Sequence, residues 1–138
     1  MNSRHYQHPT RTRRGMTIIE MSLTLALMMS LAAVVVYTAS GVGDWKKARN
    51  ASIELRNVYV AQKSYLADNP TRRIADVTSA DLVPYLTGGA TAIPTIEAIN
   101  GSALTININV IPPVASSGGS AYDPSGSSTD GLWDVGRY

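Results

Sequence analysis

Charged and apolar positions divide the chain into stretches of different character. Residues 1–15 are polar and basic, and from Met21 to Gly43 there follow 23 consecutive uncharged residues dense in Leu, Ala, Val and Met. At ~1.5 Å per residue a helix of that length crosses a ~30 Å hydrocarbon core. A buried core helix is the other possibility for such a run, but a small domain rarely encloses a helix that is apolar all round.

Beyond the run the period of three to four continues. Ala48, Ala51, Leu55, Val58, Tyr59, Gln62, Tyr65 and Leu66 share one helical face, with Lys46, Arg49, Arg56 and Lys63 on the other side. Such a helix carries a small domain on one face. Asp68-Asn69-Pro70 ends it, because Pro70 lacks the donor and disfavours α geometry at Asn69. Gly41 and Gly43 each weaken a helix by ~1 kcal/mol relative to Ala, so extension or melting is expected near Ser40 to Gly43.

After residue 68 the pattern changes again. Thr78 followed by Ser79-Ala80-Asp81 predicts a capped short helix, which Pro84 confines to a turn or two. Asn100-Gly101 separates Thr95 to Ile99 from Ser102 to Ile111, where Leu104, Ile106, Ile108 and Val110 alternate with Thr105, Asn107 and Asn109. That predicts a hairpin with a type I′ turn. Residues 112–131 are Gly/Ser-rich and predict a loop too polar to build a core, with Leu132-Trp133-Asp134-Val135 returning as a third strand. The expected fold is α+β: a long N-terminal helix, membrane-spanning in its first half and amphipathic in its second, packed on a small C-terminal antiparallel sheet. Four segments follow: a leader 1–15, a spanning half 16–43, an amphipathic half 44–68, and a small globular α+β region 69–138.

Composition narrows the chemistry. With no Cys in 138 residues there is no disulfide framework, no thiolate metal site and no cysteine nucleophile, and the two histidines, His5 and His8, both lie in the basic leader. The net charge of +2 comes from Arg4, Arg11, Arg13 and Arg14; past residue 15 there are 8 basic against 10 acidic residues. A mildly acidic body argues against nucleic-acid binding, which needs a dense basic face. Asp123, Ser125, Asp130 and Asp134 could offer oxygen ligands to calcium, but their spacing matches no EF-hand, and Asp-Pro-Ser-Gly is a common turn. No P-loop, dinucleotide turn or metal-spaced His pair occurs. No catalytic residue, metal site or cofactor is therefore assigned, and the chain is not expected to be an enzyme.

The junction of leader and apolar run is more specific. Arg13-Arg14-Gly15-Met16-Thr17-Ile18-Ile19-Glu20, continued by Met21-Ser22-Leu23-Thr24-Leu25-Ala26-Leu27, resembles the leader and N-terminus of type IV pilins and pseudopilins. The resemblance covers Arg13 to about Ala33. It implies cleavage by a membrane prepilin peptidase after Gly15, N-methylation of the new terminus at Met16, and an assembly role for the fifth mature residue, Glu20. It further implies an inner-membrane precursor with its N-terminus in the cytoplasm, which assembly machinery of a pilus or secretion system polymerises with other copies of itself. The product would be a cell-surface filament or a periplasmic pseudopilus. A bitopic, membrane-anchored binding module that never polymerises is the alternative. A cleaved secretory signal would need a shorter apolar region, and a twin-arginine signal would need spacing that Arg13-Arg14 lack.

Glu20 supports this on physical grounds. A carboxylate at the edge of a spanning helix costs several kcal/mol unless paired. No Lys or Arg lies within a turn on its C-terminal side, whereas cleavage after Gly15 would create an ammonium on Met16 of the same or a neighbouring subunit. The helix macrodipole also favours an acid there. A glutamate that merely snorkels to headgroups is the competing explanation.

Overall fold

The computed structural model describes Gly15 and residues 17–137, Ser40 by its backbone alone. The chain divides into two units, Met1–Thr38 and Ala39–Tyr138. Helix α1 runs from Ile18 to Asp68. Thr17 starts it: its Oγ1 accepts the Glu20 N–H at 3.2 Å and its carbonyl accepts the Met21 N–H at 3.0 Å. This is N-cap behaviour, which satisfies donors that the first turn leaves open. At the other end the Asn69 N–H and Nδ2 both donate to the Tyr65 carbonyl, at 2.9 and 3.0 Å, and Pro70 has no donor with which to continue. The expected melting near Ser40 to Gly43 does not occur; α1 stays helical through both glycines. Helix propagation on either side absorbs two modest local costs.

In the first unit every described residue of α1 is exposed. Its serine and threonine hydroxyls are nonetheless satisfied. Ser22 donates to the Ile19 carbonyl at 3.0 Å, Thr24 to Met21 at 2.9 Å, Ser30 to Leu27 at 2.8 Å, and Thr38 to Val34 and Val35 at 3.1 and 3.0 Å. Polar groups returned to the helix's own carbonyls present no unpaired donor to an apolar surrounding.

In the second unit α1 packs on a small antiparallel sheet. The strands are β1 (Ile96–Glu97), β2 (Ala103–Asn107), β3 (Val114–Ser117) and β4 (Ser120–Ala121), in the order β1-β2-β3-β4. Ile96 pairs with Leu104, Ile106 with Ala115, and Ser116 with Ala121. The two-residue alternation of β2 buries Leu104 and Ile106 and exposes Thr105 and Asn107, as a half-buried strand requires. Against this face α1 sets Ala48, Ala51, Leu55, Val58, Ala61 and Tyr65, all buried. The expected α+β fold is the one observed.

Between helix and sheet lies α2 (Ser79–Leu82), whose Leu82 is fully buried. Thr78 donates from both N–H (2.9 Å) and Oγ1 (2.6 Å) to Asp81 Oδ2, which fixes the first turn and holds the Asp81 carboxyl below its usual range. A 3-10 turn follows at Val83–Tyr85. Tyr85 meets the end of α1, donating from its hydroxyl to Asp68 Oδ2 at 2.9 Å and standing edge-on to Tyr65 at 5.8 Å.

Three details of the sheet differ from expectation. Glu97 pairs with Ala103, so Ala98 faces Ser102 and the loop is the three residues Ile99-Asn100-Gly101. Only Gly101, at φ 85°, is left-handed, which makes this a type I turn closed by a bulge glycine; type I′ would need Asn100 left-handed too. Residues 112–131 are not a coreless loop: β3 and β4 lie within them and Ala115 and Pro113 are buried. Polar composition concealed a strand whose single inward methyl faces Ile106 across the ladder. Finally, 132–134 are bends and 135 is irregular rather than a third strand, and they are bonded to α1 instead of extending the sheet.

Candidate functional site: an exposed apolar helix and a clamped tail

The sequence places the candidate site at the start of α1. Gly15 is exposed just before the Thr17 cap, Glu20 is exposed in the first helical turn, and Met16 lies outside the described residues, as do Arg13 and Arg14. Thr17 and Glu20 also match the capping-box signature, a Thr followed three residues later by Glu, and the Thr17 half of it is made, through Thr17 Oγ1 and the Glu20 backbone N–H. Among the described residues the ion pair is Lys47–Glu97; none involves Glu20. Its carboxylate is open to a partner.

From Ile18 to Val42 α1 offers apolar side chains on every side. Leu23, Leu27, Met28, Leu31, Val35 and Val36 are all well over half exposed. This is the stretch long and apolar enough to cross a membrane. Because it is apolar all round, lipid can cover it, and so can the helices of other copies.

The second half of α1 does something that the pattern of charges did not indicate. Arg49 and Arg56, expected on the solvent side, reach the tail of the chain: Arg49 Nη1 donates to the Gly131 carbonyl at 3.3 Å and Arg56 Nε to the Val135 carbonyl at 2.7 Å. Lys47 Nζ binds Glu97 Oε1 at 2.8 Å and the Ile99 carbonyl at 3.2 Å. Trp133, 3% exposed, donates its N–H to the Ala48 carbonyl at 3.2 Å and stands edge-on to Tyr122 at 5.1 Å. Its φ of 64° is rare for so bulky a residue and costs on the order of 1–3 kcal/mol, offset by burial and by these contacts. No periodicity in 130–136 would have revealed this. The visible signal was the isolated pair Trp133 and Val135 in a polar tail.

The acidic residues of that tail are engaged with backbone. Asp123 Oδ1 accepts from Ser125 N–H and Oγ at 3.1 and 2.7 Å, and Asp130 Oδ1 from Leu132 N–H at 2.9 Å. Asp134 accepts from the N–H groups of Asp130, Gly131 and Gly136. These are turn-closing carboxylates, and among the described residues no group of three acidic or imidazole side chains is placed to hold a metal ion. Burial pushes the Asp134 carboxyl above its usual range, opposed by the Gly136 and Gly131 N–H bonds and assisted by Asp130.

A long N-terminal helix packed on a small C-terminal antiparallel sheet is the general arrangement of pilin-like folds, and no catalytic constellation accompanies it among the described residues. Comparison with protein-family models, with curated proteins and with solved structures finds no match.

Proposed function

We propose that this chain is a structural subunit of a type IV pilus or related pseudopilus, made as a membrane precursor, cut between Gly15 and Met16, methylated at Met16 and polymerised through α1. The contrast within α1 carries the proposal. One half is docked on the chain's own sheet, and the other exposes Leu, Val and Met on all sides with its serine and threonine hydroxyls internally satisfied. A filament of such subunits buries the second kind of surface without unfolding the first. The partners are further copies of the chain, the prepilin peptidase, the assembly machinery and, before assembly, the inner membrane.

Intact mass and N-terminal sequencing of the native protein test this. The expected mature chain begins at Met16 and carries one added methyl group. A chain that begins at Met1, or one cut near Ala39, overturns the proposal; uncut protein that remains in the membrane is the non-polymerising anchor.

A further inference from the structure

The end of the second unit nearest Ala39 carries an apolar rim. Lys47 holds the β1–β2 hairpin tip at its own level through Glu97 and the Ile99 carbonyl, and Ala48 holds the tail there through the Trp133 N–H. Ile99 and Leu132 are thereby gathered beside Trp45 around a shallow depression of about 240 Å³, with Pro124 at its edge. Trp45 is 56% and Ile99 41% exposed, and what sets them apart from the other exposed apolar residues of the unit, such as Ile53 and Val60, is that they share one depression beside the end of the apolar run. Asp44 and Ser125 are the polar members of the lining.

We propose that this rim is a membrane-docking foot: while α1 spans the bilayer, Trp45, Ile99 and Leu132 rest in the headgroup layer of the leaflet from which α1 emerges. The inference rests on the proposal that α1 is a membrane anchor. Continuity argues for lipid as the occupant. Val42, the last large apolar residue of the run, lies three positions before Trp45 on the same helix, ~4.5 Å along its axis, so a bilayer that covers Val42 has its headgroups at the level of the rim. The side-chain chemistry fits as well. A Trp ring beside exposed Lys46 joins an apolar body to a cation within reach of lipid phosphate, the pairing that anchors helix ends at membrane surfaces. The foot fixes how the second unit stands before assembly, and extraction into a filament must release it.

The chain has no cysteine, so single substitutions give unique attachment points for an environment-sensitive fluorophore. The full-length protein is placed in vesicles of phosphatidylethanolamine and phosphatidylglycerol that contain lipids brominated both near the headgroup end and near the methyl end of the acyl chain. Labels go on Val35→Cys within the span, on Ile99→Cys and Pro124→Cys at the rim, and on Thr71→Cys beyond the far end of α1. The expected result is a blue shift and loss of emission at positions 35, 99 and 124 and no change at 71. Pro124→Cys carries the test if Ile99→Cys does not fold. Quenching at 35 without quenching at the rim overturns the foot and leaves the anchor intact, whereas no quenching at 35 removes the anchor itself. Quenching at 71 as well means that the unit lies flat on lipid without a specific foot. Rim labels that ignore brominated lipid but become shielded in filaments assign the rim to a neighbouring subunit, which also overturns the proposal.

Discussion

Arg56 Nε and the carbonyl oxygen of Val135, 79 positions apart in the chain, meet at 2.7 Å. The bond holds the tail in the turn that Gly131 and Gly136 make possible, both left-handed at φ 74° and 73°. A methyl group on Gly136 would fall 2.5 Å from Arg56 Nη2, and one on Gly131 2.9 Å from Arg49 Nη1. The two guanidinium groups thus occupy the space that a side chain at either glycine would need.

Gly136→Ala is expected to cost about 1–2 kcal/mol for the left-handed backbone plus about 1 kcal/mol for the displaced Arg56 bond. Gly126→Ala, at φ 71° in open space, pays only the first. In an Arg56→Ala background the excess at Gly136 should vanish, so that the two changes do not add. Urea denaturation of the four variants measures it, and equal costs at 126 and 136 would show that Arg56 does not constrain the tail.

Acid titration should separate Asp134 from Asp81. With its pKa raised by burial, Asp134 takes up a proton at higher pH folded than unfolded, so its contribution falls as pH rises from the ordinary aspartate range through the raised value and is constant above it. Asp81, lowered by its hydrogen bonds from Thr78, contributes stability above the ordinary range and loses it as pH falls through the lowered value. Plots of urea midpoint against pH should therefore lose their declining limb in Asp134→Asn and their acid-side loss in Asp81→Asn.

Gln62 is buried on α1, and its Nε2 donates to the carbonyls of Ile108 and Val110 at 2.8 and 2.9 Å. Gln62→Leu keeps much of the volume and adds apolar surface, yet it leaves those carbonyls without their donor. The expected loss is about 1–3 kcal/mol. A gain in denaturation midpoint would mean that the two carbonyls find other partners.

Much of this was legible. The face from Ala48 to Leu66 was readable because a buried helix face repeats every three to four residues, and β2 because inward residues repeat every two. Asn69-Pro70 marked the end of α1 through a missing donor. The tail was hidden because Trp133 and Val135 are placed by long-range bonds from Arg49, Arg56 and Ala48, which leave no periodic trace. β3 was hidden because Ala115 needs only a methyl to fill its place opposite Ile106. At the candidate site Glu20 stood out as an acid at the edge of an apolar run. Thr17-Ile18-Ile19-Glu20 also carries the spacing of a capping box, which is where α1 starts.

Glu20→Gln tests assembly without disturbing the cap, because the bond that starts the helix runs from the residue-20 backbone N–H to Thr17 Oγ1. If Glu20 compensates the Met16 ammonium of a neighbour, the variant leaves a buried charge unpaired at a cost of about 3–5 kcal/mol. Normal insertion and cleavage with few or no filaments is expected by membrane fractionation and electron microscopy. Filaments of wild-type number and length would show that charge pairing does not drive assembly.

The bond from Trp133 to the Ala48 carbonyl also has a bearing on timing. A chain made from its N-terminus presents Ala48 and Leu55 long before Trp133 and Val135 exist to cover them, and in an exported protein the tail is also late to be delivered. The hairpin and α2 are closed by contacts between neighbouring residues, whereas the tail closes the longest loop in the unit, the kind of contact that forms more slowly. Until then apolar helix surface stays open to chaperones and to other unfinished chains. Completion of the second unit is thus tied to the closure of its tail.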